Sequence, residues 1–146
     1  DAATDEILRV DPDDGTILAR GSTGERPRGI ALDEASGRLY VANTETANVS
    51  VLSLFDLTPI ATVEVGLAPL AVAVTPTQSQ VYVANSLADE MSVIDSLSTT
   101  VAATVPAGRK PWDVVVSGNG ELVYVAASAS GQIMVFGVDQ LLGGAE

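Results

Sequence analysis

The chain has 146 residues, 47% of them hydrophobic, and a mean hydropathy of +0.31, which is a single domain's length and far too apolar for disorder. Its formal charge of −12 disfavours phosphate backbones and anionic lipid as partners, and no apolar run reaches the roughly 18 residues that a membrane helix needs. It has no cysteine and no histidine, which removes disulfides, thiolate chemistry, Ser-His-Asp catalysis and the commonest transition-metal ligand.

In chain order, short β-branched or apolar runs alternate with turn residues, the pattern of strands. Leu8–Asp11 and Thr16–Arg20 flank the turn Asp11-Pro12-Asp13-Asp14-Gly15. Gly29–Asp33, Leu39–Asn43, Val49–Ser53 and Ile60–Val65 make a set of four strands. Ala71–Thr75, Val81–Asn85, Met91–Asp95 and Val101–Val105 make a second set, with a turn over Thr75–Ser79 between its first two strands. Asp113–Ser117, Val123–Ala127 and Ile133–Gly137 follow, and the tail from Val138 has the only helical signal, a turn or so.

These sets are copies. Pro27, Pro69 and Pro111 lie 42 residues apart, as do Tyr40, Tyr82 and Tyr124, and Gly24, Gly66 and Gly108. Ile7 onward falls on Met91 onward at a shift of 84, two periods. Four short strands per 42-residue repeat define an all-β chain, a β-propeller built of four-stranded antiparallel blades. A blade with two apolar faces cannot bury them alone and must stack on neighbours. The expected division is a partial blade (third and fourth strands) over 1–23, blades over 24–65 and 66–107, and an incomplete final blade over 108–146. That is about three blades, a partial propeller completed either by a longer chain or by oligomerisation, with self-association the form the second route takes.

On Tyr40-Val41-Ala42-Asn43 and Tyr82-Val83-Ala84-Asn85, on Val49-Ser50-Val51 and Met91-Ser92-Val93-Ile94-Asp95, and on the Gly-x-x-Pro loops at 24–27, 66–69 and 108–111, the chain resembles the YVTN family of β-propeller repeats. The last repeat departs from it, with Ala127 in place of Asn and Phe136-Gly137 in place of Ile-Asp. The resemblance implies an extracellular, periplasmic or cell-surface protein. It implies no single activity, since its relatives include ligand-free scaffolds, lactonase-like enzymes and propellers attached to redox modules. The expected function is an extracytoplasmic scaffold or protein-interaction module without catalytic activity of its own. The alternative is part of a propeller enzyme or redox-associated subunit, lactonase-like or attached to a haem module, whose site needs additional blades.

Chemistry is expected where the loops before each first strand meet those between second and third strands, at the mouth of the channel. Four of the seven basic residues fall there, Arg26, Arg28, Arg109 and Lys110, beside Trp112, the only tryptophan. Cations next to an aromatic suit an anionic small ligand. The plainer reading is that they neutralise Glu25, Glu45, Asp89 and Glu90 while Trp112 covers the core. Asp113, beside Trp112 and Lys110, is a single acid with no placed partner. The carboxylates at 11–14 invite calcium, but Gly15 comes too early for an EF-hand and the aligned turn Asp95–Thr99 has one acid, so a β-turn is expected there. No catalytic residue, metal site or cofactor is assigned from the sequence. Asn43 and Asn85 are expected to bond the backbone of the following turn, and the three tyrosines to pack between blades.

Overall fold

The computed structural model describes residues 1–76 and 80–142. The strands are β1 (Glu6–Val10), β2 (Ile17–Ser22), β3 (Pro27–Asp33), β4 (Arg38–Asn43), β5 (Asn48–Ser53), β6 (Pro59–Glu64), β7 (Pro69–Val74), β8 (Gln80–Asn85), β9 (Glu90–Asp95), β10 (Thr100–Pro106), β11 (Pro111–Val116), β12 (Leu122–Ala127) and β13 (Gln132–Gly137). They form four antiparallel meanders: β1-β2, β3 to β6, β7 to β10, and β11 to β13, here blades 1 to 4. The tail makes the short helix α1 (Val138–Leu142); the end of the turn expected over Thr75–Ser79, at 77–79, and the tail from 143 lie outside the described residues.

Alternation along each strand gives every blade two apolar faces, and each core is shared by two blades. One face of blade 2 carries Tyr40, Ala42, Val49 and Val51, which pack against Val72, Val81, Val83 and Ile94 of blade 3. The corresponding face of blade 3, with Tyr82, Ala84, Met91 and Val93, packs against Val114, Val123 and Val125 of blade 4, and Val138 and Leu141 of α1 join that core. Between blades 1 and 2 the same arrangement is thinner, Ile7 and Ala19 meeting Leu39, Val41, Leu52 and Leu57. The inner strands come close enough that a Cβ on Gly29 would lie 2.8 Å from the Ala71 Cα, so this position requires glycine.

The turns repeat as faithfully as the strands. Left-handed backbone occurs at Asp5, Ala47, Asp89 and Gly131, at Gly15, Leu57 and Thr99, and at Arg26, Ala68 and Lys110, each set in steps of 42 residues. The first set closes the outer hairpin within each blade: the N–H groups of Thr23, Val65 and Ala107 donate to the carbonyls of Asp5, Ala47 and Asp89 at 2.9, 3.0 and 3.1 Å. In two of the three blade junctions a carboxylate of this set ties one blade to the next. Asp5 Oδ1 accepts the Arg26 N–H at 3.0 Å and Asp89 Oδ1 the Lys110 N–H at 2.8 Å, whereas the middle junction has Ala47 there.

Two expectations change. The first strands begin at Pro27, Pro69 and Pro111, two residues earlier than the β-branched runs, because proline can open a strand where its nitrogen owes no ladder bond. Asn43 and Asn85 bond side chains rather than the turn backbone: Asn43 Nδ2 donates to Asn48 Oδ1 and Ser50 Oγ, and Asn85 Nδ2 to Ser92 Oγ at 2.8 Å. The strand register puts each asparagine and serine on one buried face, which brings the serine hydroxyl within hydrogen-bond reach. Tyr40 and Tyr82 do pack between blades and are fully buried; Tyr124, on the open side of blade 4, is half-buried.

Candidate functional site at the channel mouth

Each inner strand carries a β-bulge at one place. Pro27 pairs with Asn43 and Gly29 with Ala42, leaving Arg28 as the extra residue; Leu70 and Trp112 are the extra residues of β7 and β11. A bulge breaks the alternation and re-aims one side chain, and here it does so three times at the top of the inner strands. Arg28, Leu70 and Trp112 thereby leave the sheet register together.

The consequence is a contact across two blade junctions. The Arg28 guanidinium, from blade 2, lies 5.9 Å from the centre of the Trp112 ring of blade 4, at cation–π distance. Trp112, but not Arg28, lines a cleft of about 350 Å³ together with Gly29, Ile30, Leu70, Ala71, Val72 and Asp113. Trp112 is 57% exposed, so it faces this cleft and does not cover the core. Arg28 has no carboxylate within ion-pair distance among the described residues, so its charge is available to a ligand.

The other candidate residues are placed differently. Arg26 is left-handed and pairs with Glu45, Nη1 to Oε1 at 2.8 Å, with both side chains about half exposed. That neutralisation agrees with the plainer expectation and contributes about 0–1 kcal/mol at such a surface. Arg109 and Lys110 are exposed in the loop leading to Trp112 and do not line the cleft. Asp89 takes the Lys110 backbone N–H, and no carboxylate lies within ion-pair distance of either side-chain charge among the described residues. Leu70 and Gly29 were not singled out from sequence; the equivalence of Leu70 to Arg28 and Trp112 in the 42-residue register was the available signal.

The acidic turn after β1 uses its own carboxylates. Asp11 Oδ1 accepts the Asp13 N–H at 2.9 Å, and Asp14 Oδ1 the Thr16 N–H at 2.8 Å. The hydrogen bonds from Thr16 hold the Asp14 carboxyl below its ordinary range; those from Ser53 and Thr58 do the same for Asp56, and those from Ser98 for Asp95, in the equivalent turns. The turn is built alike with three acids or one.

Blades wedged around an inner row of strands, with bulged residues converging at one mouth, define a β-propeller. A family model, that of the lactonase 7-bladed β-propeller, matches residues 54–144, and the chain belongs to that family. No curated protein matches the chain. Among solved structures it is similar to putative 6-phosphogluconolactonases from Bacteroides uniformis and Bacteroides fragilis, each at TM-score 0.81 and 20% identity over 98% of this chain and 47% of the other. It is also similar to hydrazine synthase of Kuenenia stuttgartiensis, at TM-score 0.80 and 20% identity over 93% of this chain and 44% of that one. At such identity the likeness is one of fold. The chain spans a little under half the length of each of these structures.

Proposed function

We propose that the chain is a sector of a lactonase-like propeller whose channel mouth binds a small anionic ring compound, a phosphorylated or carboxylated sugar lactone. The observation that carries this reading is the approach of Arg28 to Trp112, which lines the cleft, set up by bulges on strands from different blades with the arginine free of any carboxylate among the described residues. The family match and the two phosphogluconolactonase-like structures support the enzyme reading over the catalytically silent scaffold. We also read the repeat itself as of the YVTN type, on Tyr40–Asn43 and Tyr82–Asn85.

In this reading Arg28 gives paired, charge-assisted hydrogen bonds to a phosphate or carboxylate, and the Trp112 face covers the less polar side of the sugar ring. Arg109 and Lys110 raise the local concentration of anions against the chain's overall negative field. Opening a lactone needs a base to take a proton from the attacking water and donors for the carbonyl oxygen. Asp113 is the carboxylate that borders the cleft and is the base candidate in this chain. The remaining catalytic groups come from blades beyond this sector.

The test is a titration of Trp112 fluorescence with 6-phosphogluconate, and with neutral gluconolactone as control. The expected result is a saturable change with the anion, weakened about tenfold or more by Arg28→Ala, a loss of about 1.4 kcal/mol. An unresponsive tryptophan, or a response that Arg28→Ala leaves intact, overturns the reading.

A further inference from the structure

The loops above the blades share one backbone and differ in side-chain chemistry from blade to blade. In blade 2 the N–H groups of Thr44 and Glu45 donate to the carbonyls of Arg26 and Glu25 at 3.1 and 3.2 Å. In blade 3 Ser86 and Leu87 donate to Ala68 and Leu67 at 2.9 and 3.1 Å, and in blade 4 Ser128 and Ala129 to Lys110 and Arg109 at 3.0 and 3.1 Å. The left-handed residue falls at the same point of each loop. With the main chain held constant, the outward pair next to it reads Glu25 and Glu45, then Leu67 and Leu87, then Arg109 and Ala129.

The leucines are not needed by the fold, since their counterparts are charged or small. They stand 62% and 67% exposed, on adjoining loops joined by the Leu87–Leu67 bond, on a chain that is otherwise strongly acidic. Scattered exposed leucines mean little, but an adjoining pair between charges of opposite sign has the make-up of an interaction site. On the flanks, neither Glu25 nor Arg109 has an ion-pair partner among the described residues. Lys110, likewise without an ion-pair partner among the described residues, adds a second cation beside Arg109.

We propose that this crown docks a protein segment of complementary order: a basic group over blade 2, a large apolar side chain over Leu67 and Leu87, and an acidic group over Arg109 and Lys110. The apolar anchor supplies affinity, and the two flanking charges fix which way round the segment lies. The surface is separate from the cleft beside Trp112, whose lining includes neither leucine. It therefore stands whether or not the lactone reading does.

The experiment uses short synthetic peptides with a central Leu-Phe pair, measured by calorimetry on the 146-residue chain at low and high salt. One peptide has lysines at one end and glutamates at the other; one has lysines at both ends; one has glutamates at both. The two-signed peptide is expected to bind about tenfold tighter than either of the others at low salt, with the margin shrinking as salt screens it. The double variant Leu67→Glu, Leu87→Glu places blade 2's acids on blade 3 loops of the same backbone, with the fold verified by circular dichroism, and binding should be lost. Reversing one flank with Arg109→Glu and Lys110→Glu should transfer the preference to the peptide with lysines at both ends. Equal affinity for all three peptides, no binding by any, or a leucine variant that binds as before overturns the proposal. So does binding to vesicles of phosphatidylcholine and phosphatidylglycerol that the leucine variant loses, because the apolar pair would then serve a lipid surface.

Discussion

Blades 3 and 4 carry the same face in two environments. On blade 3, Tyr82, Ala84, Met91 and Val93 are fully buried against blade 4. On blade 4 the residues 42 positions later include Ile133, 64% exposed, and Val135, 54% exposed, while Tyr124 and Ala126 are half-buried. Strand register is the same in both, Tyr82 opposite Val93 and Tyr124 opposite Val135. The difference lies in what stands beyond the face. A blade supplies half of each core, and its apolar pattern is a demand that only the next blade meets.

The largest effect expected from this contrast is on packing. Met91→Ala should cost about 2–5 kcal/mol, because it deletes atoms from a closed core. Ile133→Ala, at the matching position, should change stability by no more than about 0.5 kcal/mol in the 146-residue chain. Urea denaturation of both variants measures this. Equal losses would show that the face of blade 4 is covered in solution, and the contrast would then belong to the isolated sector alone.

A second, intermediate effect concerns the buried phenols. Burial pushes the Tyr82 hydroxyl up to about 12 and raises that of Tyr40 as well. A raised value in the folded state favours the neutral phenol there. The stability it contributes is therefore complete below the ordinary tyrosine value of 10.0 and is lost as pH rises through the folded value. Tyrosinate absorbance should accordingly appear together with the loss of β circular dichroism above pH 10, toward about 12 for Tyr82. Normal titration of both phenols with the fold intact would contradict the closed junctions.

The smallest effect separates the junctions from one another. Asp89→Ala removes the acceptor of the Lys110 N–H and should cost about 0.5–1.5 kcal/mol. Ala47→Asp installs the same acceptor at the one junction that lacks it, in a left-handed position that aspartate tolerates better than alanine. It should raise the thermal midpoint by a few degrees. A destabilised Ala47→Asp would mean that the Ala68 loop does not present its N–H as Lys110 does.

Most of the strands were legible because alternation is local, and the blades because Pro27, Pro69 and Pro111 keep a gapless interval. The channel-mouth residues were legible as a group of cations and an aromatic, but their sorting was not. Arg26 and Arg28 are two residues apart in one loop, and sequence offers no reason to separate them. The left-handed turn sends Arg26 outward to Glu45, while the bulge one residue past Pro27 sends Arg28 inward to Trp112. Leu70 shares the 42-residue register of Arg28 and Trp112 but was not assigned to the site, because nothing in an isolated leucine marks a bulge. The asparagines were assigned to the backbone because the serines that accept from their Nδ2 groups lie seven residues away, across a hairpin.

By itself, then, the sequence determined the repeat, the four-stranded blade and the turns, since strand period and turn chemistry are written in residues close along the chain. The tertiary structure decided which apolar faces are buried, which channel-mouth cation is paired with a carboxylate, and that a blade 2 arginine meets a blade 4 tryptophan. Those are properties of neighbours brought together by wedge-shaped stacking, and no interval within one repeat encodes them.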